Sequence, residues 1–161
     1  MTHVVDVARN EDLPAIESIL RRTGVFTDEE VQVAMELAEE AVNPAPDTTY
    51  RIAVTRSDGR VSGYIVWGRT WFTKWSYDLY WMAVDPDVQR GGLGTMLVRE
   101  MERAMRAEGG RIVRIETSSL PEYEKTRAFY RRVGYPETLR VPDFYWEGND
   151  LCLHFGEIPK D

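Results

Sequence analysis

Apolar positions recur along this chain at two spacings, and the switches between them mark out its elements. Val4 to Ala8 reads as a first strand. Leu13, Ile16, Ile19 and Leu20 then form a helical stripe, opened at Asn10 or Glu11-Asp12 and closed by Gly24. Thr27 and Glu30 make a capping box for a second helix, with Val31, Ala34, Leu37, Ala38 and Ala41 on its apolar face. Asn43 to Thr48 is a loop. Tyr50 to Thr55 and Val61 to Arg69 read as strands joined by a turn at Ser57-Asp58-Gly59, and Thr70 to Ser76 leads on from them. Tyr77 to Val84 is apolar on both faces, with Tyr77, Leu79, Trp81 and Ala83 on one and Tyr80, Met82 and Val84 on the other. Such a strand belongs in the middle of a covered sheet, and Asp85-Pro86 ends it.

Helical spacing returns at Leu93, Met96, Leu97, Met101, Ala104 and Met105, with Arg103 and Arg106 near the negative end and Gly109-Gly110 as the stop. Arg111 to Thr117 predicts a further strand, and Leu120-Pro121 introduces a helix from about Glu122 to Val133, capped by Gly134. Leu139 to Val141 and Asp150 to Phe155 predict a last pair of strands around Pro142 to Asn149. This order predicts a mixed α/β fold, with a largely antiparallel sheet outside the central crossovers. No repeat, linker or low-complexity tract divides it, so a single domain over residues 1–161 is expected.

The stretch between the central strand and its helix carries the chemistry. Gln89-Arg90-Gly91-Gly92-Leu93-Gly94-Thr95 sets a glycine-rich turn at a helix start, where backbone N–H groups and the positive end of the helix favour an anion, phosphate first among them. Glycine lets a bulky anion approach the backbone and permits positive φ. A Walker loop would need a Lys-Ser/Thr pair, and a dinucleotide fingerprint a glycine where Leu97 stands, so neither fits. A helix-capping turn that binds nothing is the competing interpretation.

The string Gln89-Arg90-Gly91-Gly92-Leu93-Gly94 resembles the Gln/Arg-x-x-Gly-x-Gly/Ala signature of the GNAT superfamily of N-acetyltransferases. The preceding Met82-Ala83-Val84-Asp85-Pro86 and the later Ala128-Phe129-Tyr130-Arg131-Arg132-Val133-Gly134-Tyr135 extend the likeness over nearly the whole chain. The resemblance implies a twisted sheet of six to seven strands with about four helices, its central strands splayed around acetyl-CoA. It implies that Met82, Ala83 and Val84 line the pantetheine, that amides from Gln89 and Arg90 through Gly91, Gly92, Leu93 and Gly94 to Thr95 hold the diphosphate, and that Tyr130 touches the cofactor and is the general acid. For the base, the resemblance favours Glu116; Asp78 and ordered water are the alternatives. Tyr123 stands where the family often has an asparagine that contacts the cofactor. The implied activity is transfer of an acetyl group from acetyl-CoA to a primary amine, on a small molecule or a peptide N-terminus, by direct attack in a ternary complex. A non-catalytic acyl-CoA-binding domain is the alternative.

Composition narrows the partners. A formal net charge of −7 argues against a general nucleic-acid binder and suits a cationic acceptor. The loops Arg21 to Thr27, Trp71 to Tyr77 and Asp143 to Asp150 are the candidate acceptor walls, the last because aromatics beside carboxylates suit an organic cation. Cys152 is the only cysteine, in an apolar setting, and no signal peptide or membrane span is visible, which together predict a cytoplasmic protein. His3 carries no predicted role and His154 has no spaced partner, so no metal is expected. A homodimer is an open assembly state, because relatives in the family are often dimers.

Overall fold

The computed structural model describes residues 2–88 and 91–160. In chain order it comprises β1 (His3–Val7), α1 (Leu13–Thr23), α2 (Asp28–Val42), β2 (Tyr50–Ser57), β3 (Arg60–Arg69), β4 (Ser76–Val84), α3 (Leu93–Ala107), β5 (Ile112–Ser118), α4 (Glu124–Val133), β6 (Glu137–Trp146) and β7 (Asn149–Glu157). The strands form one seven-stranded sheet in the order β1-β2-β3-β4-β5-β7-β6. Only the β4–β5 pair is parallel; every other neighbour runs antiparallel.

Helices cover both faces, so the strands read as continuous apolar runs. On one face, Leu97, Val98, Met101 and Met105 of α3 and Tyr130 and Val133 of α4 pack on Ile65, Trp67, Leu79 and Ile115. On the other, Ile16, Ile19 and Leu20 of α1 and Val31, Ala34 and Ala38 of α2 pack on Ile52, Val54, Tyr64 and Val66. Full burial of one such aliphatic side chain contributes about 1.5–3 kcal/mol.

The start and stop signals act as their residue types dictate. Gly24 closes α1 at φ 67°, and Thr27 and Glu30 exchange hydrogen bonds at the head of α2. Two elements differ from expectation. The fourth helix begins with a 3-10 turn at Pro121–Tyr123, and regular α-helix starts only at Glu124. The segment expected as a loop before Asn149 is mostly strand. β6 continues through Phe144, Tyr145 and Trp146, and only Glu147-Gly148 turns, with Gly148 at φ 84°. An irregular register between Val141 and Trp146, with Asp143 at φ 52°, absorbs Pro142, which has no N–H for the ladder.

Candidate active site

The central pair of strands parts half-way. β4 and β5 pair only from Ser76–Ile112 to Leu79–Ile115, although β4 continues to Val84 and β5 to Ser118. The parting coincides with a bulge. Leu79 lies opposite Trp67 and Trp81 opposite Val66, so Tyr80 is an extra residue on β4. An extra residue exchanges the faces of everything after it. Tyr77, Leu79, Met82 and Val84 therefore pack with α3 and α4, while Tyr80, Trp81 and Ala83 pack with α1 and α2. Strict alternation had placed Trp81 and Ala83 with Tyr77; the bulge is the physical reason they are not there.

The same strand has an edge without a neighbour. Asp85 donates its N–H to Ser62 O at 2.9 Å, on the β3 side. Alternation along the strand then turns the backbone of Ala83 toward β3 and that of Met82 and Val84 toward the parting.

At the end of that edge stands the glycine turn. Gln89 and Arg90, both expected to contact the diphosphate, lie outside the described residues. Gly92 caps α3 at φ 72°, with open space where a Cβ would stand, so its conformation alone requires glycine. The other two glycines answer to packing. A Cβ on Gly91 would sit 2.9 Å from His3 Nε2, and one on Gly94 would sit 3.1 Å from Phe129 Cζ. Leu93 is buried, anchoring the first turn of α3. Met96 N–H bonds to Gly92 O at 3.0 Å, and among the described residues the amides of Leu93, Gly94 and Thr95, at the positive end of the helix, have no backbone partner.

Tyr130 and Glu116 approach the parting from opposite faces. Tyr130, on α4, is 4% exposed, packs edge-to-face on Phe129 at 5.5 Å, and its hydroxyl bonds to no other described residue. Burial pushes its pKa well above the ordinary tyrosine value. Phe129 thus connects the loop, through Gly94, to the tyrosine beside it. Glu116 is the first β5 residue past the parting; its side chain is 48% exposed, with Arg114 Nε 4.0 Å away. Its neighbours Ile115 and Thr117 are buried, so Glu116 faces the α1–α2 side. Asp78 is engaged elsewhere. It is 5% exposed, bonds to Arg114 Nε at 2.6 Å and accepts from Tyr80 Oη at 3.4 Å, the pattern of a structural ion pair.

Of the three loops predicted to wall the acceptor, two reach the parted end. Phe26, after α1, packs on Trp81 with ring centroids 5.5 Å apart. The β6–β7 turn lies at the Ser118 end of β5, because Ser118 pairs with Leu151. The Trp71–Tyr77 segment lies at the other end of β4 and cannot contribute, since it joins β3 to the start of that strand. Tyr123, half-buried, has its pKa pushed up to about 12 by burial and then by Glu30, Glu122 and Tyr145. Tyr145 is raised by burial and then by Glu116, with Cys152 and Glu30 also contributing. Aromatic rings and carboxylates therefore share one neighbourhood beside Glu116.

Both histidines are fixed, which their sequence positions did not signal. His154, 1% exposed, faces Tyr135 O at 3.0 Å and Thr117 Oγ1 at 3.2 Å. His3 Nδ1 lies 2.8 Å from Ser57 Oγ. Cys152 is buried, as its apolar setting implied. Among the described residues no group of three or more His, Cys, Asp or Glu is arranged to hold a metal, and no helix is long and apolar enough to cross a membrane.

The site is thus framed by a parted parallel pair, a bulge at the parting and an α-helix opening on a glycine cap. The family model for acetyltransferases of the GNAT family matches residues 13–135, and the chain belongs to that family. A Desulfovibrio desulfuricans protein assigned to the same family superposes with a TM-score of 0.92 at 33% identity, over 98% of this chain and 100% of that one. An aminoglycoside 6′-N-acetyltransferase complexed with coenzyme A shares the fold at a TM-score of 0.76 and 16% identity, covering 98% of both chains. The ribosomal-protein-S18-alanine N-acetyltransferase of Escherichia coli does so at 0.75 and 20% identity, over 99% of this chain and 96% of that one. No curated protein matches the sequence significantly.

Proposed function

We propose that the protein transfers an acetyl group from acetyl-CoA to a primary amine by direct attack in a ternary complex. The observation that carries this is the free edge of Met82 and Val84, running to the open amides of α3. An extended pantetheine arm carries amides of its own and can pair with that edge as a strand would. At the far end of the edge, the N–H groups of Leu93, Gly94 and Thr95 suit a diphosphate, and Gly92 leaves the approach clear.

Acetyl-CoA supplies an acetyl group already activated as a thioester. The Met82 N–H is the donor placed for the acyl oxygen as it gains charge. Tyr130 stays protonated at neutral pH because burial disfavours its phenolate, so it can give a proton or a strong hydrogen bond to the departing thiolate. An alkylamine, with a pKa of about 10, must lose a proton before attack. Glu116, exposed on the acceptor face, is the group placed to receive it, directly or through water.

The acceptor neighbourhood favours an organic cation, given Tyr123, Tyr145, Glu30 and Glu116 together. The two relatives with named acceptors act on an aminoglycoside and on a protein alanine, so the family alone does not choose between a small molecule and a peptide. The test is thiol release from acetyl-CoA across a panel of diamines, aminoglycosides and short peptides. Release with at least one amine is expected. Coenzyme A binding with no release from any amine would leave only a binding module, and no binding would remove the assignment.

A further inference from the structure

We infer that the cleft between α4 and the outer strands β6 and β7 is a binding site for a small oxyanion, a carboxylate or a phosphate. Such a site is additional to the transferase chemistry proposed above and does not depend on it.

Helical periodicity gathers the cations. Glu124, Arg127 and Arg131 recur at three and four residues along α4, so they share one stripe. Phe129, which meets Gly94 of α3, lies about 200° round the helix from Arg131. The stripe therefore turns away from the glycine turn and toward the outer strands. There Glu137 and Arg140 of β6 and His154 of β7 line with it a cavity of about 200 Å³. A space of roughly 15 Å³ already holds one water, so a small anion and its waters fit.

Three guanidiniums and two carboxylates line this cavity, and their mutual bonds leave donors over. Arg127, 8% exposed, donates from Nη1 to Ser118 O and Leu120 O and from Nη2 to Glu124 at 2.6 Å. Its Nε–H has no partner among the described residues. Arg140 uses Nε and Nη2 on Glu137 at 2.7 and 2.9 Å, and its Nη1 has only Asp150, 3.7 Å away and outside the lining. Arg131 is exposed and has no hydrogen bond or ion pair among the described residues. His154 adds no charge at neutral pH. Its Nδ1 faces Tyr135 O at 3.0 Å, and burial first, with Arg127 and Arg131 after it, pushes its pKa down. Glu124 and Glu137 thus balance Arg127 and Arg140, and Arg131 is a surplus positive charge beside unused donors. A guanidinium fork matches the oxygens of a carboxylate or a phosphate, whereas a cationic ligand would meet the surplus charge.

The test is isothermal titration of the full chain with inorganic phosphate and, separately, with succinate, in Tris chloride at constant ionic strength. Saturable binding of at least one is expected, and which one binds tells phosphate from carboxylate. Arg131→Gln should weaken that binding about tenfold, by loss of a charged donor. Arg132→Gln removes the same charge from the next position, outside the lining, and should stay within about twofold of wild type. Glu124→Gln, which releases Arg127 Nη2, should tighten binding about threefold, while Glu122→Gln, also outside the lining, should not. The open amides of α3 could take phosphate as well, so the deciding quantity is the difference between Arg131→Gln and Arg132→Gln, which those amides do not share. Equal affinities for these two variants, or no saturable heat from either anion, would overturn the site and leave the coenzyme assignment standing.

Discussion

Single residues decide the chemistry proposed for this fold, and they do so through burial and backbone angle. Tyr130 is enclosed by Phe129 and by the core beneath α4, which keeps its proton on. Tyr130→Phe removes that proton and little volume. Turnover should drop about 10²-fold while the dissociation constant for coenzyme A stays within a factor of about two, as read by thiol release beside titration calorimetry. Equal turnover would remove the acid assignment. Gly92 makes a different kind of contribution. Its φ of 72° is strained for any residue with a Cβ, so Gly92→Ala should cost about 1–2 kcal/mol and lower the melting temperature, although nothing lies within 4 Å to clash. His154 should leave a signature in acid. Burial pushes its pKa below the usual histidine range. Above about pH 6.5 both folded and unfolded chains hold it neutral; below that value the unfolded chain takes up a proton that the native state resists. Stability from this site is therefore lost as pH falls through about 6.5, and His154→Gln should lose less melting temperature than wild type between about pH 7.5 and about pH 5.5.

Elements show which parts of the structure were legible in the sequence. Helical stripes, capping residues and turn glycines act locally, so α1, α2 and α3 could be placed from Leu13, Thr27 and Leu93 with no knowledge of their partners. The parallel pairing of β4 and β5 followed from the helix between them. What could not be read is whatever depends on a strand's neighbour. The extra residue at Tyr80 is a property of the β3–β4 register, and no spacing within Tyr77 to Val84 announces it. The partners of His3 lie across β2 and β3, some 54 residues away for Ser57. Of the candidate site, the loop and Tyr130 were singled out from motif residues, whereas Phe129 against Gly94 needed the third dimension. Arg127 is another such case. It is 8% exposed and donates to Leu120 O at 3.1 Å and to Ser118 O, fastening α4 to the end of β5 beside the parting. Arg127→Met would leave the Ser118 carbonyl without its donor, while Leu120 O keeps the Tyr123 N–H, and should destabilise the protein by about 1–3 kcal/mol, visible as a lower denaturant midpoint with unchanged slope.

At the scale of the whole molecule, a net charge of −7 draws cations toward the surface at long range. If the acceptor is a polyamine-like cation, its KM should rise roughly two- to fivefold between about 20 mM and about 200 mM salt, while a neutral-tailed amine should change less. A flat response for both would argue against charge in acceptor recognition. The parting of β4 from β5 has a broader consequence. An ordinary open sheet ends in two unpaired rims, one at each side. This one has two more in its interior, facing each other beyond Leu79 and Ile115. Backbone groups left for a visitor are groups the empty chain does not bond to itself, so the vacant protein is built looser than its strand count allows. A shortened chain without Tyr80, zipped shut along that line, should melt higher and bind nothing there. The opening that admits a guest is kept at the expense of the host's own cohesion.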